Sequence, residues 1–274
     1  SFGSGNEDGA FDINSNNGLI RVRDPTHLDY EQRSSIRLIV VARTEGHSPL
    51  FGYATVKVDL IDANDNSPRF TQVNYATVVW EGNSKGTFVA QVSATDDDSG
   101  ENAAISYHIV DGNPDNAFAI DPPLSGIVKT NIVLDREIRD SYYLTIMASD
   151  QGQPQKTGTA MLRISVVDIN DNKPTFPPHT NVSIVEDAEV GSLVTTVTAN
   201  DVDTAPPLTY ALMPSQGAAA TDVSAFSIDR FTGKILLAQP LDFERQSSYS
   251  VQVRESEGRK RPPPFVLVLH FDAN

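Results

Sequence analysis

A nine-residue segment recurs along this chain at an almost constant spacing. It reads DANDNSPRF from Asp62 and DINDNKPTF from Asp168, and the letters DAN return at Asp272. The first two copies start 106 residues apart, and the third starts 104 residues after the second. A period of about a hundred residues indicates an array of separately folded modules, because the repeats of solenoid proteins are shorter, roughly 20 to 50 residues.

The repeated segment combines oxygen ligands with a restrained backbone. Its Asp and Asn side chains offer the hard oxygen atoms that Ca²⁺ prefers, and Pro68 and Pro174 each fix a backbone dihedral angle. No side chain in either copy is a good nucleophile. The segment therefore predicts a calcium-binding linker rather than a catalytic loop.

Two further motifs recur in register with these linkers. An LDxE motif begins at Leu28, Leu134 and Leu241, and a phenylalanine followed by a turn glycine and an isoleucine occurs at Phe11, Phe118 and Phe226. Together with the acidic stretch 96–103, DDDSGENA, this combination closely resembles the extracellular repeats of the cadherin superfamily. It is similar in particular to the non-classical long cadherins of the protocadherin or Fat and Dachsous kind. The resemblance covers essentially the whole chain.

Length and hydrophobic pattern predict an all-β fold. About 100 residues per repeat is the size of an immunoglobulin-like sandwich, and residues 159–167 alternate in the manner of a strand with one buried face. The buried face would consist of Ala160, Leu162, Ile164 and Val166. We expect tandem seven-stranded Greek-key sandwiches, with residues 1–66 as the C-terminal part of one cadherin repeat and residues 67–172 and 173–274 as complete repeats.

Two details of the repeats need a separate interpretation. Counting back from the linker, the last strand would bury Val266, Val268 and His270 and turn outward Leu267, Leu269 and Phe271. Either a β-bulge shifts the register, or another module or a partner covers the outer face. We favour the bulge, because a slip of one residue moves every side chain of the strand to the opposite face.

Trp80 directly precedes Glu81 in the sequence. We interpret it as a packing residue.

The net charge of the chain limits the classes of partner that it can bind. A net charge of −15 argues against nucleic acid, whose phosphates require Lys and Arg, and suits cations. The absence of cysteine leaves the compartment open, but the calcium sites of extracellular modules work at dissociation constants of about 10⁻⁴ to 10⁻³ M. We therefore expect an extracellular location, as part of a single-pass plasma-membrane protein whose anchor lies outside this chain, and no membrane contact within it.

The resemblance implies that calcium binds between repeats, with ligands from both repeats and from the linker. At the first junction the ligands would be Asp29, Glu31, Asp62, Ala63, Asn64, Asp65, Asn66, Asp96, Asp98, Asn102 and Asp150, of which Ala63, Asn66 and Asn102 bind through carbonyl groups. At the second they would be Glu81, Asp135, Glu137, Asp168, Ile169, Asn170, Asp171, Asn172, Asp201, Asp203 and Glu257, of which Ile169 and Asn172 bind through carbonyl groups. A third half-site would comprise Glu186, Asp242, Glu244 and Asp272.

Electrostatics favours cations in such clusters. Two like charges 4 Å apart cost on the order of 4 kcal/mol at an effective dielectric constant of 20. Several carboxylates around one linker are therefore unfavourable unless bound cations neutralise them. Calcium would then tie the end of one sandwich to the start of the next and turn the chain into a stiff rod.

Each junction departs from the family pattern at one end. The first has no first-strand glutamate, so its inner calcium pair is expected to be weak. The second has Glu257 where the previous repeat has Asp150, and residues 204–207, TAPP, in place of Ser-Gly-x-Asn, so its outer calcium is expected to be weak. We expect the second junction to be the stiffer one, because a bridging carboxylate is harder to replace than a carbonyl, whose place water can take.

Two classes of function remain. One is an ectodomain for calcium-dependent cell–cell adhesion or recognition, made of rigid modules whose partners are other cadherin ectodomains of the same or a different chain type. The alternative is a receptor module that binds a soluble extracellular ligand on the same scaffold, and exposed apolar surface on one module would favour it. An enzyme is not expected, because the five histidines lack a spacing such as HExxH and no cysteine exists to act as a nucleophile. Asn181-Val182-Ser183 forms a sequon for N-glycosylation of a secreted chain.

Overall fold

The computed structural model describes residues 1–177, 181–204, 207–214, 223–256 and 265–272, and for residues 181, 255, 256 and 265–272 it describes the backbone only. Regular structure in this part of the chain is almost entirely β-strand, and the 3₁₀-helices at Pro25–His27 and Pro114–Asn116 are single turns. The chain divides into two compact units. The first comprises residues 1–135 and 139–166, and the second comprises residues 136–138 and 167–274.

The N-terminal part of the first unit contains five strands. They are β1 (Phe2–Ser4), β2 (Phe11–Ile13), β3 (Ile20–Val22), β4 (Ser35–Arg43) and β5 (Phe51–Asp59). Strands β1, β4 and β5 form one antiparallel sheet, and β2 pairs with β3. Phe11, Ile36 and Leu38 are buried together in a small core. This core fixes β5, whose end at Asp59 leads into the first linker.

The rest of the first unit is a two-sheet sandwich. Its strands are β6 (Arg69–Phe70), β7 (Asn74–Trp80), β8 (Phe88–Gln91), β9 (Ala94–Thr95), β10 (Ser106–Asp111), β11 (Phe118–Ile120), β12 (Ile127–Thr130), β13 (Ser141–Ser149) and β14 (Thr157–Val167). One sheet has the order β10-β13-β14-β7, the other has the order β11-β12-β8, and β6 pairs with β9. Seven strands in two sheets confirm the prediction of an all-β sandwich.

Alternation along β13 and β14 builds the core of this sandwich. The four residues predicted to form the buried face, Ala160, Leu162, Ile164 and Val166, are all buried. Leu162 pairs with Leu144 across the sheet, and directly paired residues share a face. Leu144 is fully buried as well. The period-two pattern of the sequence therefore predicted this strand correctly.

The second unit repeats the same arrangement. Its strands are β15 (Asn181–Val185), β16 (Leu193–Thr196), β17 (Thr209–Pro214), β18 (Phe226–Ile228), β19 (Lys234–Leu237), β20 (Ser248–Ser256) and β21 (Phe265–Asp272). The two sheets have the orders β15-β21-β20-β17 and β16-β19-β18. Ile235, Val251 and Val253 are fully buried in its core.

The last strand has the register that a slip of one residue predicts, but the slip does not come from a bulge in its pairing with β20. Strand β21 pairs with β20 without interruption from residue 265 to residue 270, so the predicted bulge is absent from these described pairs. Position 267 lies opposite Val251 and position 265 opposite Val253, which places both on the core side of the sheet. Counting back from the linker misplaced the register by one residue, because pairing with β20 sets the register and the distance to Asp272 does not.

The outer face of the sheet β10-β13-β14-β7 carries exposed apolar side chains. Val78 and Trp80 on β7, Tyr143 on β13 and Met161 on β14 are all exposed, and we call this set the outer sheet face. Trp80 is 60% exposed, so its interpretation as a packing residue is wrong. The physical reason is the pleat of the strand: Val79 occupies the core-facing position, which leaves its neighbours pointing outward.

Candidate metal centres

Hydrogen bonds fasten the first linker to the loop between β9 and β10. Asp62 Oδ2 accepts one bond from the backbone N–H of Ser99 at 3.1 Å and another from Nδ2 of Asn102 at 2.9 Å. Both donors bond the same oxygen, so they fix the orientation of the Asp62 carboxylate. As a result, an acid of the linker lies against the acidic loop that contains Asp96 and Asp98.

Asp98 is held by the linker in turn. The backbone N–H of Asn66 donates to both carboxylate oxygens of Asp98 at 3.2 Å, and Asn66 Nδ2 donates to Oδ1 at 2.7 Å. The amide of Asp98 donates to Asp96 Oδ1 at 3.1 Å. Burial, with the charges of Asp98 and Asp150, raises the pKa of Asp96. Because Asp98 is only 6% exposed, its charge needs compensation by hydrogen bonds or by a cation.

The loop between β13 and β14 also contacts the first linker. Asp150 is completely buried and accepts hydrogen bonds from the backbone N–H of Lys156 at 3.0 and 3.1 Å. Lys156 Nζ also donates to the carbonyl of Asp65 at 2.6 Å. Asn64 Nδ2 donates to the carbonyl of Pro154 at 2.6 Å. This loop therefore positions Asp150 and the linker together.

Three carboxylates converge at the first linker. Glu31, Asp62 and Asp98 each offer an oxygen atom, and these atoms lie within 4.8 Å of one another. Burial, together with neighbouring Asp62 and Asp65, raises the pKa of Glu31. Burial also acts to raise the pKa of Asp62, but the hydrogen bonds from Asn102 and Ser99 outweigh it and lower that pKa. The cluster thus concentrates negative charge that a cation would neutralise.

Four buried side-chain oxygens in the described part of the chain have no hydrogen-bond partner. They are Asp62 Oδ1, Asn64 Oδ1, Asp96 Oδ2 and Asp201 Oδ2, and all four belong to predicted ligand residues. A buried acceptor left without a donor costs roughly 1 to 3 kcal/mol. Hard oxygen atoms of this kind are what Ca²⁺ binds, in sets of six to eight. The residues present therefore fit calcium.

The second linker reproduces the hydrogen bonds of the first, within the second unit. The amide and Nδ2 of Asn172 donate to Asp203 at 2.8 Å each, and the amide of Asp203 donates to Asp201 Oδ1 at 3.0 Å. The amide of Thr204 donates to Asp168 Oδ2 at 2.9 Å. Thr204 thus supplies the same backbone donor although the sequence after it has changed. Residues 205 and 206 of the altered stretch lie outside the described residues.

Carboxylates converge at the second linker too. Glu137, Asp168 and Asp203 offer oxygen atoms within 4.8 Å of one another. Arg136 enters this cluster: its Nε donates to Asp168 Oδ1 at 2.7 Å, and its Nη2 lies 2.6 Å from Glu137 Oε1. Burial acts to raise the pKa of Asp168, but the hydrogen bonds from Thr204 and from the Arg136 guanidinium hold it below its usual value.

Three residues of these sites escaped the sequence reasoning. Arg136 stands at the variable position of the LDxE motif, and a cation inside an acidic motif was the signal available. Lys156 follows Asp150 by six residues and gave no comparable signal. Asp97 lines a cavity of about 510 Å³ with Asp29, Glu31, Gln32, Asp65 and Asn66, and its place between two predicted ligands could have indicated it.

Several other predicted ligands also have defined positions. Glu81, at the end of β7, is buried, and one of its carboxylate oxygens lies within 4.8 Å of one from Asp135. In the third half-site, Glu186 Oε2 accepts a hydrogen bond from the amide of Phe243 at 2.7 Å, which brings it to the LDFE segment. Glu257 lies outside the described residues, and only the backbone of Asp272 is described.

Sequence comparison identifies the family. A sequence model of the Cadherin domain matches residues 1–61, 75–167 and 180–265. The chain therefore belongs to the cadherin family. It is 44% identical over 324 residues to Protein dachsous of Drosophila melanogaster, an alignment that covers 100% of this chain and 9% of that protein. It is 39% identical over 271 residues to human Protocadherin-23, covering 99% of this chain and 8% of that protein.

A solved structure agrees with this assignment. Mouse Cadherin-23 EC22-24 is 30% identical, with a TM-score of 0.80 over 96% of this chain and 82% of that one. The predicted resemblance to non-classical long cadherins is thus confirmed, and the modules are cadherin ectodomain repeats of the Dachsous, Fat and protocadherin type. The chain spans less than a tenth of the length of the two relatives. None of the described helices is long and apolar enough to cross a bilayer.

Proposed function

We propose that this chain is a calcium-stiffened segment of a cell–cell adhesion or recognition ectodomain. Calcium binds at each linker, and the resulting rigid repeats hold a recognition surface at a fixed distance from the cell. The partners are other cadherin ectodomains, of the same or a different chain type. The full-length protein is anchored in the plasma membrane by a single span outside this chain.

The observation that carries the proposal is the set of four buried oxygens without donors. Each belongs to an acid or amide of the DxNDN or DxD segments, and they occur at both linkers. Chance placement of exposed acids does not produce this pattern, because exposed carboxylates are solvated by water. The convergence of Glu31, Asp62 and Asp98 to within 4.8 Å supports the same assignment.

Calcium at the first linker would be held mainly by side chains already fixed in place. Hydrogen bonds to one oxygen of Asp62 and one of Asp96 leave the second oxygen of each carboxylate available. Such fixed ligands lose little conformational entropy on binding. We extend the assignment to the second linker, where Asp168, Asp201 and Asp203 receive equivalent backbone hydrogen bonds.

Two measurements test this function. Isothermal titration with CaCl₂ should show binding at dissociation constants of about 10⁻⁴ to 10⁻³ M, the range of extracellular modules. Small-angle scattering in millimolar calcium and then in chelator should show a long, narrow particle that becomes flexible, while the strand signal in circular dichroism is kept. An unchanged scattering profile would contradict the stiffening mechanism.

The receptor alternative is the second candidate function, and the outer sheet face favours it. Val78, Trp80, Tyr143 and Met161 expose apolar surface that a partner could cover. On β20 of the second unit, the position that corresponds to Tyr143 is Ser250, which is polar. Sedimentation with calcium tests whether the partner is a like chain. Self-association that Trp80→Ala abolishes supports adhesion between like chains, and a persistent monomer favours an unlike partner.

A further inference from the structure

Asn83 lies in the loop between β7 and β8 and ties this loop to the start of the LDRE segment. Its Oδ1 accepts a hydrogen bond from the backbone N–H of Leu134 at 2.9 Å, and its Nδ2 donates to the carbonyl of Ile132 at 3.0 Å. The backbone N–H of Gly82 also donates to the carbonyl of Leu134 at 3.0 Å. Three hydrogen bonds therefore join two short stretches of backbone.

These bonds act directly beside two proposed calcium ligands of the first unit. Glu81 precedes Gly82, and Asp135 follows Leu134. Glu81 is only 3% exposed, and one of its carboxylate oxygens lies within 4.8 Å of one from Asp135. Leu134 is buried in the core, so the bonds fasten the loop to a fixed point. The separation of the two carboxylates thus depends on contacts that Asn83 makes.

A further bond holds the Asn83 side chain in this position. Nδ2 also donates to Oγ1 of Thr130 at 2.9 Å, and Thr130 is buried. The Thr130 hydroxyl in turn donates to the carbonyl of Ser84 at 3.0 Å. A side-chain amide has two donor hydrogens and one acceptor oxygen, and β12 and the segment after it supply partners for all three. The side chain is therefore oriented by protein contacts alone.

The second unit builds the same loop without these side-chain bonds. Ala188 occupies the position of Asn83 there. Leu237 occupies the position of Thr130, so both members of the pair are apolar. The backbone bond at the end of the loop is kept, at 2.8 Å to the carbonyl of Leu237 and at 2.7 Å to that of Thr130. The pair of Asn83 and Thr130 is thus not needed to form the loop.

We propose that Asn83 is a positioning residue for calcium at the second linker, because it holds the Glu81 and Asp135 carboxylates close enough to bind one ion together. The assignment rests on the proposed calcium function. Asn83 does not touch the ion and acts through the backbone beside both ligands. Residues that orient metal ligands in this way contribute roughly 10- to 100-fold to metal affinity.

The test is Asn83→Ala. Calcium affinity at this site should fall about tenfold, measured by CaCl₂ displacement of Tb³⁺ whose emission is excited through Trp80. This tryptophan is the only one in the chain and directly precedes Glu81, so the emission reports on the second linker. In chelator, hydrogen exchange of the Leu134 amide should become several-fold faster, because its acceptor is lost.

Asn113→Ala is the matched control. Asn113 donates to the carbonyl of Phe118 and accepts from its backbone N–H, at 2.9 Å each, in a loop that carries none of the proposed ligands. This variant should lose a similar amount of stability in urea and keep the calcium affinity of the wild type. A second variant, Asn83→Ala with Thr130→Leu, copies the pair of the second unit and should regain stability without regaining affinity.

The outcomes separate this role from folding and from the calcium function. Calcium affinity in Asn83→Ala equal to that in Asn113→Ala would overturn the proposal, and so would recovery of affinity together with stability in the double variant. If Asn83→Ala folds poorly, the double variant supplies the affinity. Absence of Tb³⁺ emission in a wild type that binds calcium by calorimetry would also overturn the proposal. A wild type that binds no calcium would overturn the proposed function instead, and exchange of the Leu134 amide would still report on the tie.

Discussion

Asn66 and Asp98 are joined by three hydrogen bonds, two from the Asn66 amide at 3.2 Å and one from its Nδ2 at 2.7 Å. Asn172 and Asp203 make the same kind of contact in the second unit, at 2.8 Å. The last asparagine of the DxNDN segment therefore orients a carboxylate of the DxD loop. The family resemblance implied only a carbonyl ligand at this position, so this side-chain role comes from the structure.

Replacing Asn66 with Ala should weaken both folding and calcium binding. The change removes one of the three bonds to a buried carboxylate, and such a loss costs about 1 to 3 kcal/mol of unfolding free energy. Asp98 would also lose its fixed orientation, so we expect calcium affinity at the first linker to fall about tenfold by calorimetry. Asn131→Ala removes a side-chain bond to the carbonyl of Asn116 elsewhere and should leave calcium affinity unchanged. Equal affinities in the two variants would contradict the orienting role.

Gly152 should increase the calcium affinity of the first linker by leaving room for the ligands around it. A Cβ at this position would overlap the side chains of Asn64 and Asn102, both proposed ligands. Gly152→Ala should therefore displace them and lower calcium affinity by roughly tenfold, while circular dichroism keeps its strand signal. Gly52→Ala on β5 is a suitable control, because a Cβ there meets open space. If Gly152→Ala bound calcium as tightly as Gly52→Ala did, the placement of the Asp150 loop would be wrong.

The core and the outer sheet face should respond differently to truncation. Leu144 is fully buried, so Leu144→Ala should lower the free energy of unfolding by about 2 to 5 kcal/mol. Trp80 is exposed, so Trp80→Ala should change the unfolding free energy by about 0.5 kcal/mol or less. Urea denaturation in calcium measures both. A large destabilisation by Trp80→Ala would restore the packing role that the structure denies.

Local periodicity and spacing predicted most of the fold. The alternation from Ala160 to Val166 determined which face of β14 is buried, because a strand has no other way to separate apolar from polar side chains. The spacing of the linkers likewise indicated a row of modules. The acid clusters at those linkers were expected from the family resemblance, which placed ligands in the DxNDN and LDxE segments.

Other features depend on contacts that no local pattern reports. The register of β21 depends on its pairing with β20, in which position 267 lies opposite Val251, and the count from the linker does not report that pairing. The exposure of Trp80 follows from which neighbour, Val79, is turned toward the core. Arg136 reaches Asp168 and Val202 across distances in sequence of 32 and 66 residues, so its role becomes visible only in three dimensions.

Glu137→Gln should lower calcium affinity at the second linker at least tenfold. Glu137 offers an oxygen within 4.8 Å of those from Asp168 and Asp203, and calcium affinity depends on the number of charged ligands. The change also replaces the charged pair with Arg136 by a neutral contact, because Gln carries no charge. Asp115→Asn is the matched control, because Asp115 has φ 56° and Asn tolerates that left-handed conformation. Equal calcium affinity in the two variants, measured by calorimetry, would remove Glu137 from the ligand set.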